Sequence, residues 1–106
     1  MSRPAYALRY DEGAIENLRW IPRKQHSAIR RAIEEQLSYE PDVETRNRKP
    51  LKGSSAEKPR WELRCGTHYR VRVIYRVDSE TRVVAIAVIG VKKGNQLLVN
   101  GAEYTP

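Results

Sequence analysis

Residues 46–76 of this 106-residue chain hold ten basic side chains, Arg46, Arg48, Lys49, Lys52, Lys58, Arg60, Arg64, Arg70, Arg72 and Arg76, against two acidic ones, Glu57 and Glu62. That local excess of +8 accounts for the whole net charge of +7, so the remainder of the chain is close to neutral. A concentrated positive stretch attracts anions, and the usual anionic partners are nucleic acid, an acidic protein segment or a membrane surface. On an RNA phosphodiester, arginines support one reaction without a metal. When a 2′-hydroxyl attacks its own neighbouring phosphate, bidentate guanidinium contacts hold the phosphate in line and neutralise charge on the pentacovalent species. Protons need a second kind of group, and His68, with an ordinary pKa of about 6.5, is the candidate acid or base.

Other chemistries lack their residues. A metal-dependent nuclease needs converging carboxylates, and Glu57, Glu62, Asp78, Glu80 and Glu103 have no helical or strand spacing that gathers them. With two histidines and one cysteine there is no zinc-site spacing and no internal disulfide. Neither a metal nor another cofactor is expected. Cys65 alternates onto the inward side of its strand and reads as a core residue rather than a nucleophile. His26 reads as an exposed helix residue without a role.

The elements that position these groups follow from periodicity. Residues 4–10 alternate, with Tyr6, Leu8 and Tyr10 on one side, and predict a first strand. Asp11 N-caps a short helix whose inward stripe is Ala14, Ile15 and Leu18. Pro22 opens a second helix over residues 24–39, with Ala28, Ile29, Ala32, Ile33 and Leu37 inward and Glu40-Pro41 as its stop. Residues 41–59 predict a basic loop with at most a short strand at 50–52. Three strands follow at 61–65, 69–77 and 82–91, whose short connections imply an antiparallel meander. The last contains VVAIAVIGV, apolar at both parities, and predicts a central strand covered on both faces. In the tail, residues 95–106, a run at 97–99 predicts an edge strand.

The fold class is therefore α+β: one domain over residues 1–106, a small antiparallel-rich twisted sheet ordered β-α-α-β-β-β with an N-terminal helical hairpin on one face. Alternation puts Arg64, Arg70, Arg72 and Arg76 on the other face, with Glu62 at its margin. Apolar residues make up 40% and charged residues 31%, a globular composition despite the negative mean hydropathy of −0.71. No apolar run is long enough for a membrane span and the N-terminus lacks a signal-peptide core, so a soluble, cytoplasmic protein is expected.

The motifs PLKG (50–53), WELRCG (61–66), YRVRVIYRVD (69–78) and VVAIAVIGVKKGN (83–95) resemble, in this order and spacing, the RelE/ParE superfamily of type II toxin–antitoxin toxins. With the helical hairpin the resemblance covers nearly the whole chain. It implies the same small sheet, and for the RelE-like branch, favoured by the KKGN ending, a ribosome-dependent mRNA endonuclease that inhibits translation. In that branch Arg72 would stabilise the scissile phosphate, while Arg64 and Lys92 would add charge or donate protons. Lys49, Lys52, Arg60, Arg70, Arg76 and Lys93 would contact RNA. The implied partners are mRNA on the ribosome, with 16S rRNA contacts, and a cognate antitoxin whose acidic residues neutralise the basic face. The toxin would be monomeric when free and hetero-oligomeric with its antitoxin, and no membrane is involved. The chain departs from the RelE pattern at two places: Glu62 stands where several members have a basic residue, and Gln96, Leu97 and Leu98 stand where they carry a C-terminal tyrosine, Tyr104 coming later. The alternatives are a ParE-like inhibitor of DNA gyrase and a catalytically degenerate module that binds antitoxin or RNA.

Overall fold

A computed structural model describes residues 4–53 and 59–105, so the Ser54, Ser55, Glu57 and Lys58 part of the basic loop lies outside the described residues. The element order is β1 (Ala7–Tyr10), α1 (Glu12–Leu18), a single 3-10 turn (Arg23–Gln25), α2 (His26–Leu37), β2 (Arg48–Pro50), β3 (Arg60–Cys65), a second 3-10 turn (Thr67–Tyr69), β4 (Val71–Asp78), β5 (Val83–Lys93), β6 (Gln96–Val99) and β7 (Ala102–Glu103). The expected α+β sheet with a helical hairpin is present, and it is larger than the expected meander. Six strands run in the order β2-β3-β4-β5-β6-β7 with antiparallel neighbours, and β1 joins β5 in parallel. The first strand is shorter than residues 4–10, and the loop strand falls at Arg48–Pro50 rather than 50–52. Among the described residues no helix is long and apolar enough to cross a membrane.

Between Ile74 and Tyr75 the β4–β5 register slips by one residue: Ile74 lies opposite Val88 and Tyr75 opposite Ile86, leaving Ala87 as the extra residue of a β-bulge. Parity along β5 therefore reverses at Ala87. Val84 and Ile86 face the helices before the bulge, and Ile89 and Val91 face them after it, all four belonging to or packing on the main core. Ala85, Val88, Gly90 and Lys92 share the other face. This corrects the expectation of a strand covered on both sides: VVAIAVIGV is a one-sided strand whose parity changes halfway. The core joins these residues to Leu63, Cys65, Val71, Val73 and Tyr75 of the sheet and to Ala14, Ile29, Ile33 and Leu37 of the helices, the last three recurring at every fourth residue to make one stripe of α2. Ala28 falls outside that stripe and is exposed.

One edge of β5 pairs with β4 along its length, so β1 and β6 must share the other, with β1 taking Val83 to Ile86 and β6 taking Val91 to Lys93. In the gap the Ile89 N–H has no strand partner. Asn17, 5% exposed on the inward face of α1, fills the gap: its Oδ1 accepts from Ile89 N–H at 3.0 Å and its Nδ2 donates to Asn100 Oδ1 at 2.8 Å. This is why Asn17 is inward and Ile15, expected inward, is 52% exposed. A helix crossing an unpaired strand edge needs a side chain that can accept a hydrogen bond. His26 also corrects its expected idleness, because its Nε2 donates to the Ile21 carbonyl at 2.8 Å and ties α2 to the connection before it.

Arg48 is buried rather than part of the surface charge. It donates from Nε to the Val43 carbonyl at 3.1 Å and from an Nη to the Gln36 carbonyl at 2.5 Å, placing a cation on the last turn of α2. Beside it the Tyr75 hydroxyl donates to the Pro41 carbonyl at 2.7 Å, and burial pushes that phenol above its ordinary range.

Asn17→Ala leaves the Ile89 N–H without a partner and should cost about 1–3 kcal/mol, lowering the thermal midpoint by several degrees and speeding hydrogen exchange at Ile89. Burial pushes the Cys65 thiol up to about 11. Between its ordinary value of 9.0 and 11 the unfolded chain gives up that proton while the folded chain keeps it, so the stability is fully present below pH 9 and lost as pH rises through 11. Denaturation measured across this window should show a loss of about 3 kcal/mol that Cys65→Ala removes.

Candidate functional site

The face of the sheet opposite the helices is built in rows by the register. Across β3, β4 and β5 one row is Arg64, Arg72 and Gly90. The next row is Lys49, Glu62, Ile74 and Val88, running from β2 to β5. The third is Arg60, Arg76 and Ala85. Two residues beyond Gly90 on the same face stands Lys92, diagonal to Arg72, a neighbour relation within reach of long side chains. The structure thus brings Arg64, Arg72 and Lys92 to one end of the open face.

Arg72 is set by its surroundings. Its Nε lies 3.6 Å from Glu62 Oε1, with both side chains nearly covered at 13% and 12% exposure, and an Nη donates to the Tyr69 carbonyl. Burial lowers the pKa of this arginine, Glu62 raises it and the neighbouring Arg64 lowers it. Glu62 is therefore central, not marginal: it is the counter-ion that makes a largely covered arginine tolerable. Among the described residues no carboxylate pairs with Arg60, Arg64, Arg76 or Lys92. Asp78, a nominal partner for them, has its carboxylate in the β4–β5 turn, accepting from the Glu80 and Thr81 N–H groups at 3.0 and 3.1 Å. Those bonds hold its pKa below the usual carboxylate value.

The turn ahead of β4 explains how the Tyr69 carbonyl reaches Arg72. Gly66 at φ 77° opens it, and a β-carbon there would sit 2.5 Å from a Val71 methyl, so only glycine fits. His68 and Tyr69 follow at φ 54° and 56°, left-handed conformations that cost non-glycine residues energy and recur at functional sites. His68 is exposed in this turn, off the strand rows. Arg70 is in the turn as well, helical in backbone and exposed, which removes it from the expected strand set; its carbonyl accepts the Lys92 N–H at 2.7 Å and so fastens the end of β5 to the turn. Lys52 lies beyond β2, and Lys93 alternates to the opposite side of β5 from Lys92.

One functional candidate, Arg9, was not legible beforehand, and Tyr104, expected to come too late in the chain, returns to this end of the face. Arg9 reaches the open face because β1 pairs with β5 in parallel, setting Arg9 opposite Ala85. Tyr104 returns to the neighbourhood of Lys92. The β6–β7 hairpin turns at Asn100 and Gly101, and the Tyr104 N–H donates to the Leu97 carbonyl at 2.8 Å, so Lys92, Leu97 and Tyr104 form successive positions of one row. Leu97 is buried, its methyl 3.0 Å from where a β-carbon on Gly90 would stand. Cys65 faces the core with its pKa raised, a neutral thiol remote from nucleophilic use. Among the described residues no group of three or more His, Cys, Asp or Glu side chains is placed to hold a metal ion.

No family model matches the chain and no curated protein matches it. Among solved structures it is similar to a chain of the RelBE2 toxin–antitoxin complex from Mycobacterium tuberculosis, with 28% identity and a TM-score of 0.67 over 85% of this chain and 100% of that one. It is also similar in fold to a chain of the archaeal RelE–RelB complex from Pyrococcus horikoshii, with 23% identity and a TM-score of 0.60 over 84% of this chain and 96% of that one. The strand order, the helical hairpin and the ordered WELRCG, YRVRVIYRVD and VVAIAVIGVKKGN segments agree with this likeness, and the chain shares the fold of the chains in these RelE-type toxin–antitoxin complexes.

Proposed function

We propose that the chain is the toxin of a type II toxin–antitoxin pair and that it cleaves mRNA in the ribosomal A site, with no metal or cofactor required. The observation that carries this reading is the convergence of Arg64, Arg72 and Lys92 at one end of the open face, with Glu62 paired to Arg72. A phosphodiester entering between Arg64 and Arg72 meets two guanidinium groups from adjacent strands, one of them already oriented by the Tyr69 carbonyl. The 2′-oxygen forms its bond to phosphorus as the bond to the 5′-oxygen breaks, giving a 2′,3′-cyclic phosphate and a free 5′-hydroxyl. The arginines neutralise the pentacovalent phosphate, His68 in the adjoining turn takes the proton lost by the 2′-hydroxyl, and one is delivered to the 5′-oxygen from the Lys92 end of the face. Tyr104, in the Lys92 row, is the further proton-carrying group at this end. Lys49, Arg60 and Arg76 extend the cationic face along the RNA. The antitoxin, in this reading, covers the same face with acidic residues and so excludes RNA.

The test is induced expression with cleavage mapped by primer extension on a translated message and on the same message with its start codon disabled. Cuts should appear only in the translated copy, and Arg72→Ala should lower them by about 10²–10³-fold, the usual cost of one preorganised charge-stabilising donor. Growth arrest with intact mRNA would overturn the nuclease reading and point to a gyrase-type protein target. Glu62→Gln removes the anion that competes with phosphate for Arg72, and should tighten binding of single-stranded RNA by about fivefold in an anisotropy titration.

A further inference from the structure

The far end of the open face holds a second cationic row, of which the reading above uses Arg60 and Arg76 only as an extension of the cationic face. Arg60 lies opposite Arg76 across β3 and β4, Arg76 opposite Ala85 across β4 and β5, and Ala85 opposite Arg9 across β5 and β1. One row across four strands thus carries three arginines around a single methyl group. Arg9, Arg76 and Ala85 line a groove of about 920 Å³ with Pro59, Val83 and the β4–β5 turn. Strands in a sheet are about 4.8 Å apart, so the backbones bearing Arg9 and Arg76 flank Ala85 at roughly 10 Å, a width that two arginine side chains span to meet one phosphate. We propose that Arg9, Arg60 and Arg76 form a second phosphate site, holding a backbone phosphate of the same single-stranded RNA away from the Arg64 and Arg72 end. The inference rests on the RNA reading and adds a second anchoring point to it.

Two features make this a separate site rather than the fringe of the first. Four residues of β3 and β4 separate the two rows, roughly 13 Å of strand. The row between them, Lys49, Glu62, Ile74 and Val88, carries no net charge. Three acids, Asp11, Asp78 and Glu80, lie near the far row. Asp11 lies 3.8 Å from Arg9, whose side chain is 67% exposed against 33% for the aspartate, a loose pair that contributes little and yields to a bidentate phosphate contact. Asp78 has its Oδ1 committed to the turn N–H groups, and Glu80 also lines the groove. RNA seated at both rows gains affinity because the second contact becomes intramolecular once the first has formed.

The experiment titrates the full-length protein with a length series of single-stranded RNA carrying 2′-O-methyl groups, which cannot be cleaved, at several salt concentrations. Wild type should show a step in affinity once the RNA is long enough to reach both rows. The Arg9→Gln/Arg60→Gln/Arg76→Gln variant should lose that step and lower the salt slope by about 0.7 for the phosphate it no longer neutralises, with the shortest RNAs bound as before. The corresponding lysine triple, which keeps the charge, should restore the slope, and matched melting curves of all three proteins show that they fold. An unchanged slope and length dependence in the glutamine triple would overturn the proposal. So would an acidic peptide that depends on these three arginines when RNA binding does not. Absence of translation-dependent cuts in wild type would sink the nuclease reading instead, and the slope would still decide this site.

Discussion

The single extra residue at Ala87 decides which side of the sheet every later group occupies. A strand alternates faces with a period of two, so one inserted residue exchanges the faces of everything downstream. Without it, Lys92 would stand on the helical side with Val84 and Ile86, and Ile89 would point away from the core. With it, apolar side chains line the core from both halves of β5 while Gly90 and Lys92 arrive beside Arg72. Packing and site are thus settled by the same irregularity: the residues that must be buried force the bulge, and the bulge delivers the cation.

A second constraint follows from β5 sharing one edge between two strands. The parallel β1 and the antiparallel β6 cannot meet on that edge, because α1 has to leave the sheet between them. Asn17 satisfies the N–H left in the gap and at the same time holds Asn100, the turn residue of the β6–β7 hairpin. A local hydrogen-bonding need therefore reaches as far as the C-terminal hairpin and the row in which Tyr104 lies.

Much of this was readable from the residues. The helical hairpin, the WELRC and VRVIYRVD strands and the placement of Arg64, Arg72 and Arg76 on one face follow from periods of 3.6 and 2. What escaped has physical reasons. The bulge is invisible because VVAIAVIGV is apolar at every position, so period-two alternation cannot report a change of parity. Ile15 and Asn17 exchange roles because hydrophobicity does not register a strand edge short of a partner. Arg9 looks like an outward residue of an isolated first strand, and only the parallel pairing, a contact between segments 76 residues apart, carries it to the basic face. Arg48 was counted as surface charge because a basic loop gives no sign that one of its arginines turns inward to helix carbonyls.

The two ends of the sheet path are β2, three residues long and ending in Pro50, and β7, two residues long. A terminal strand offers its free N–H and C=O groups to any extended chain of matching length, and proline removes one donor outright. Strands this short give an incoming segment too few ladder bonds to repay its ordering. The four-residue β1, paired only to β5, is nearly as short, so each of these free edges offers a neighbouring copy only a few ladder bonds, which disfavours edge-to-edge joining where copies are crowded, as on a polysome translating them.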